Sequence, residues 1–144
     1  MKVLIVEDEP FAQQELKRLL SGTGRDISIA GCTDSIEDTV EWLRSNNLPD
    51  LIFLDIQLSD GLSFEIFKHE KILCPVIFTT AYDEYSIQAF KVNSIDYLLK
   101  PIKPEELKAA LDKLDAIRKS YNPGNSLPFD FARLEQLLSP ASRE

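Results

Sequence analysis

Short runs of unbroken apolar residues alternate along this chain with stretches where apolar residues recur every three or four positions. Residues 3–6 and 51–54 are wholly apolar and too short for buried helices, so they read as buried strands. Val76-Ile77-Phe78 after Cys74-Pro75, and Ile95 to Leu99, repeat the pattern, with the proline at a strand start where its missing N–H disturbs a sheet least. Ile27 to Gly31 is mixed in polarity and suits a sheet edge.

Between these runs the period is helical. Pro10 fits a first helical turn, Phe11, Leu16, Leu19 and Leu20 form an apolar face, and Gly22 and Gly24 end the segment. Thr33 or Asp34 is expected to cap a second helix with Ile36, Val40 and Leu43 on one side, ending near Asn46-Asn47. Residues 56–61 predict a loop marked by Asp60-Gly61, after which Ser63 is expected to cap a short helix carrying Phe64, Ile66 and Phe67. Tyr85, Ile87, Ala89 and Phe90 predict a weakly amphipathic helix over 84–91. A last helix runs from Pro104 to about Lys119 with Leu107, Leu111, Leu114 and Ile117 facing inward.

Strands that alternate with helices predict an α/β fold: five parallel strands covered on both sides by five helices. In such folds ligands bind beyond the carboxyl ends of the strands. Asp8, Asp55, Thr80 and Lys100 fall at or just after four of those ends. The 144 residues accommodate one domain over 1–119 and an appendage over 120–144. Ser120 to Ser126 has linker composition, and Phe129, Phe131, Leu134, Leu137 and Leu138 predict a short amphipathic helix leading to a further C-terminal domain.

Charge and composition narrow the chemistry. A net charge of −8 argues against the chain gripping nucleic acid by itself, because phosphate contacts need a basic footprint. Cys32 and Cys74 sit in or beside apolar segments and read as free, buried thiols of a reducing compartment. No apolar run approaches the roughly 18 residues of a membrane span, so no membrane association and a cytoplasmic location are expected.

The first strand runs into Glu7-Asp8-Glu9 and the third ends on Asp55. Carboxylates gathered at one sheet edge repel one another, and a hard divalent cation relieves that repulsion. Each residue also has a plainer reading. Asp55 could cap the following helix, the 7–9 acids could favour the first turn of the first helix, and Lys100 could be solvated. Thr80 is easily confused with Thr79, but strand alternation puts the two on opposite faces. Trp42, Phe64 and Phe67 read as packing groups, and His69 as a surface residue. No Gly-rich phosphate loop or zinc spacing is present.

Taken together, the acidic pair after the first strand, Leu54-Asp55, Thr80-Ala81 and Lys100-Pro101 resemble the receiver domain of bacterial two-component response regulators, over residues 1–119. Residues 78–85 and 89–102 resemble the subgroup that precedes a LytTR-type DNA-binding domain. The resemblance implies a doubly wound, flavodoxin-like sheet of order 2-1-3-4-5. It implies Asp55 as phosphoacceptor, Mg²⁺ held by Glu7, Asp8, Asp55 and the backbone carbonyl of Gln57, and Lys100 and Thr80 on the phosphoryl oxygens. Thr80 and Tyr97 would form a switch, and the Lys100–Pro101 bond is typically cis in this family. A sensor histidine kinase would be the donor. A homodimer would form through the 84–91 helix, the 95–99 strand and the 104–119 helix. DNA would be bound only through the C-terminal domain. Glu7 stands where many receivers carry aspartate, implying a longer reach to the ion.

Two other classes compete. A phosphatase of the haloacid-dehalogenase type would also use an aspartate and Mg²⁺, but needs an acid two residues beyond the nucleophile, where this chain has Gln57. A stand-alone adaptor would keep the same acidic site without any DNA-binding domain. The receiver reading itself implies no enzyme beyond self-phosphorylation from small donors and autodephosphorylation.

Overall fold

A computed structural model of the chain describes residues 1–81 and 95–119. Its elements are β1 (Lys2–Val6), α1 (Pro10–Ser21), β2 (Ser28–Thr33), α2 (Ile36–Ser45), β3 (Leu51–Asp55), β4 (Gln57–Leu58) and β5 (Gly61–Leu62). There follow α3 (Phe64–His69), β6 (Val76–Thr80), β7 (Asp96–Leu99) and α4 (Pro104–Lys119). The expected helix over 84–91 and the expected linker and helix beyond Lys119 lie outside the described residues.

Five strands form one parallel sheet in the order β2-β1-β3-β6-β7, the doubly wound 2-1-3-4-5 order when only sheet strands are counted. The central strands are buried on both faces because helices cover both, which is why their sequences are unbroken apolar runs. On one face Val3, Ile5, Leu51, Phe53, Ile77 and Leu98 pack against Leu16, Leu19 and Leu20 of α1 and Leu107, Leu111 and Leu114 of α4. On the other, Leu4, Val6, Ile52, Leu54 and Phe78 pack against Val40 of α2 and Phe64 and Ile66 of α3. Burial of each such Leu, Ile or Phe side chain is worth about 1.5–3 kcal/mol, so the sheet ends that carry the polar residues rest on a firm base.

The structure departs from the expected elements in four places. Phe11 is not part of the inward face of α1; it is 79% exposed. The cap of α2 is Ser35, whose hydroxyl accepts from the Asp38 N–H at 3.0 Å, rather than Thr33 or Asp34. Thr33 is drawn inward instead, its hydroxyl 2.7 Å from that of Thr39. Ser63 precedes α3 but makes no side-chain cap, and its buried hydroxyl has no partner among the described residues. The 56–61 loop holds a two-residue antiparallel hairpin, β4 with β5, where Gly61 adopts φ 136°, a region that favours glycine.

β2 lies at the sheet edge, as its mixed polarity implied, and its register with β1 shifts between Val3 and Leu4. Just past that irregularity the Trp42 indole lies across Gly31, so close that an added Cβ would meet Nε1 at 2.5 Å and Cε2 at 2.8 Å. Gly31→Ala should therefore destabilise the domain by about 1–3 kcal/mol in urea unfolding. The same substitution in a Trp42→Ala background should lose most of that penalty. An equal penalty in both backgrounds would show that the indole is not the obstacle.

Candidate functional site: an acidic cleft with one lysine

β1, β3 and β7 each deliver a side chain to the same end of the sheet. Glu7 follows Ile5, Asp55 follows Phe53 and Lys100 follows Leu98 at alternate positions, so each continues the sheet face packed under α1 and α4. Lys100 Nζ donates to Asp55 Oδ2 at 2.9 Å and also contacts Glu7 Oε1. The second Glu7 oxygen accepts the Glu9 N–H at 3.2 Å, and Asp55 Oδ1 accepts the Gln57 N–H at 3.3 Å. Gln13 of α1 donates its side-chain amide to the Glu7 carbonyl at 2.5 Å, tying the start of α1 to the acidic turn.

Glu7 and Asp55 are only 4% and 5% exposed, while Asp8 is half-buried. Carboxylate oxygens of Glu7, Asp8 and Asp55 lie within 4.8 Å of one another. Burial pushes the Glu7 carboxyl up, opposed by its hydrogen bond from Lys100 and reinforced by the Asp55 charge. Asp8 is also raised, by partial burial and then by Glu7 beside it. Lys100 is raised in spite of its burial, because two carboxylates hold its proton. The cleft is thus rich in negative charge that a single ammonium only partly balances.

That donor set fits a hard divalent cation. Three carboxylates converge, and oxygen donors of this kind are what Mg²⁺ takes. Asp8, Asp55, Gln57, Thr80 and Lys100 line one cleft of about 320 Å³. Thr79 instead lines a neighbouring, more apolar cleft with Phe53 and Leu16, so the two threonines diverge as strand alternation required. Tyr97 is half-buried on β7 beside Phe78, on the sheet face that Thr80 continues. The Lys100–Pro101 peptide bond is cis.

The residues singled out from sequence therefore meet, with Tyr97 set back from the rest. Sequence reasoning missed the Lys100–Glu7 contact, which depends on how β1 and β7 are placed in the sheet, and the Gln13 tie, which depends on how α1 leans on it; neither carries a local signal. His69 is exposed and Trp42 packs in the core cluster, as expected. Both cysteines are free; Cys74 is buried and its thiol is pushed up to about 12 by desolvation, whereas Cys32 is only half-buried. Among the described residues no helix is long and apolar enough to cross a membrane.

Residues 3–112 match the family described as the response regulator receiver domain. The chain is 45% identical over 123 residues to the sensory transduction protein LytT of Bacillus anthracis, covering 83% of this chain and 49% of the relative. It is 38% identical over 145 aligned positions to the transcriptional regulatory protein LytR of Staphylococcus aureus, covering 96% of this chain and 57% of the relative. The chain thus spans about half the length of the curated relatives it matches. Among solved structures, the response regulatory domain of protein mrkE from Klebsiella pneumoniae aligns with a TM-score of 0.67 at 36% identity, covering 84% of this chain and 100% of that one. The chain belongs to the receiver-domain family: it is a phosphoacceptor receiver domain of a two-component system, related to the LytT and LytR regulators.

Proposed function

We propose that Asp55 is the residue that takes the phosphoryl group, within a receiver domain spanning residues 1–119, and that Glu7, Asp8, Asp55 and the Gln57 carbonyl hold Mg²⁺ beside it. The observation that carries this reading is the 2.9 Å contact between Lys100 Nζ and Asp55 Oδ2 inside a cluster of three carboxylates. A carboxylate is a weak nucleophile toward an anionic phosphoryl group unless the incoming charge is neutralised. When bound, Mg²⁺ supplies that neutralisation.

The donor is a phosphohistidine of a partner sensor kinase. An Asp55 oxygen forms the new P–O bond as the P–N bond breaks, and the electron pair leaves with the imidazole. Lys100 then pairs with a phosphoryl oxygen, and the Thr80 hydroxyl, at the end of β6 in the same cleft, donates to another. Movement of Thr80 toward the phosphate opens space that Tyr97 fills, which alters the surface of β7 and α4.

That surface is the proposed homodimer contact. Of the mixed charges on and just before α4, Asp112 and Asp115 are engaged by Arg25, while Lys103, Glu106, Lys108 and Lys113 are proposed to pair with a second copy. Residues 120–144 are proposed to lead into a LytTR-like DNA-binding domain, on the strength of the likeness to LytT and LytR and their greater length. A parent reading frame that closes at Glu144, or opens into another effector, removes that proposal.

Three outcomes test these assignments. With Mg²⁺ and a small phosphodonor, intact mass should rise by one phosphoryl group in the parent chain and stay unchanged in Asp55→Asn; full labelling of that variant would displace the acceptor. Asp8→Asn should bind Mg²⁺ about ten-fold or more weakly in calorimetric titration, since it loses a charged ligand oxygen. In EDTA the same variant should melt higher than the parent, because removing one like charge relieves repulsion with Glu7 and Asp55. Unaltered Mg²⁺ affinity would place the ion elsewhere. Finally, sedimentation velocity with beryllofluoride should show a dimer that the untreated chain lacks. A bound mimic with a monomeric sedimentation coefficient across a wide concentration range would exclude self-association of this chain.

A further inference from the structure

We propose that Asp60 is a positioning residue for the cation site: it clamps the tip of the β4–β5 hairpin to the N-terminus of α2 and so fixes the Gln57 carbonyl at the hairpin's base. This rests on the reading of Glu7, Asp8, Asp55 and Gln57 as the ion's ligands. Asp60 is exposed and lies outside the acidic triad, yet its carboxylate spans two backbone donors of another element. Oδ1 accepts the Ile36 N–H at 2.8 Å and Oδ2 accepts the Glu37 N–H at 3.3 Å. The Ser35 side chain accepts from the Asp38 N–H, and Asp60 supplies acceptors for the Ile36 and Glu37 N–H groups from outside the helix. A negative charge placed there also opposes the positive end of the helix dipole.

One further contact fastens the same hairpin tip. The Ser59 hydroxyl donates to the Asp34 carbonyl at 3.4 Å. At the hairpin's base, Gln57 pairs with Leu62, its N–H donates to Asp55 Oδ1, and the Ser63 N–H donates to the Ile56 carbonyl at 2.8 Å. The hairpin is therefore a short lever, anchored to β3 at one end and to α2 at the other. Only four residues lie between Gln57 and Leu62, so a shift at the tip is felt at the Gln57 peptide. A tether of this kind lowers the reorganisation needed when that carbonyl becomes a ligand.

The experiment measures binding of Mn²⁺, a probe for the hard-cation site, to the 144-residue chain by loss of the free-ion electron paramagnetic resonance signal. Asp60→Ala should raise the dissociation constant about ten-fold, in the range typical of residues that support a ligand. Asp60→Asn keeps one acceptor oxygen and should fall between parent and alanine. The donor side is tested by Ile36→Pro against Ile36→Ala. Position 36 is the first of the helix, where proline is tolerated, and Ser35 is already extended, as a residue before proline must be. The proline removes the N–H that Asp60 accepts, so it should bind Mn²⁺ several-fold more weakly than the alanine variant, and adding Asp60→Ala to it should weaken binding little further.

Asp8→Ala separates the two layers of the argument. If it binds Mn²⁺ like the parent, the ligand assignment itself fails. If it loses binding while folded Asp60→Ala matches the parent, Asp60 is only a helix cap and the inference is overturned. Should Asp60→Ala not fold, equal Mn²⁺ affinity in the Ile36→Pro and Ile36→Ala chains overturns it equally.

Discussion

Lys100 between Glu7 and Asp55 is the contact on which the arrangement of the cleft depends. Two carboxylates with exposures of 4% and 5% would carry a large desolvation penalty if both stayed charged without a counter-ion. The ammonium supplies one positive charge for two buried acids, and Asp8 adds a third negative group at the rim. Such a cluster is not a device for stability, since a buried ion pair at best offsets the cost of taking its charges out of water. Three carboxylates set against one ammonium leave negative charge that a hard divalent cation would offset. Burial is the main reason that the Glu7 and Asp8 carboxyls are raised, and the neighbouring acids add to it.

A site of this kind needs a rigid frame, and the fold provides it from both faces of the sheet. α1 and α4 hold down the face that carries Glu7, Asp55 and Lys100; α2 and α3 hold the face that leads to Thr80 and Tyr97. Polar ties then join the frame to the turns where the chemistry sits. Gln13 fixes the acidic turn to α1, and Arg25 reaches Asp112 and Asp115 to fix the β2 approach to α4. At the far end of the sheet, Asp50 accepts the Lys2 N–H at 2.7 Å and its carbonyl accepts from Arg118 at 2.6 Å. Surface ion pairs such as those of Arg25 contribute little each, about 0–1 kcal/mol, and their role is to select one geometry.

The sequence by itself determined the fold class, the strand-end placement of Asp8, Asp55, Thr80 and Lys100, and most of the core. Those features follow from local rules. Unbroken apolar runs are what strands covered on two faces require, and the leucines of α4 recur at the helical period. The residues that meet in the cleft were readable because each ends a strand, and parallel strands bring their ends together whatever the details between them. The family's motifs then distinguished Thr80 from Thr79, which alternation alone could only place on opposite faces.

What only the tertiary structure decided depends on contacts between elements distant in sequence. Phe11 has the spacing of a core residue, yet α1 is rolled so that Leu16, Leu19 and Leu20 fill the interface and Phe11 is left outside. The cap of α2 fell to Ser35 with help from Asp60, 24 residues further on, a partner no local pattern announces. The 56–61 loop closed into a hairpin because Gly61 takes a positive φ against Ile36. Lys100 engages Glu7 as well as Asp55 because β1 and β7 flank the central strands at a distance that only the assembled sheet sets. Periodicity encodes which face of an element is apolar. How far one element rolls or slides on another is settled by packing, and the long-range polar contacts follow from that.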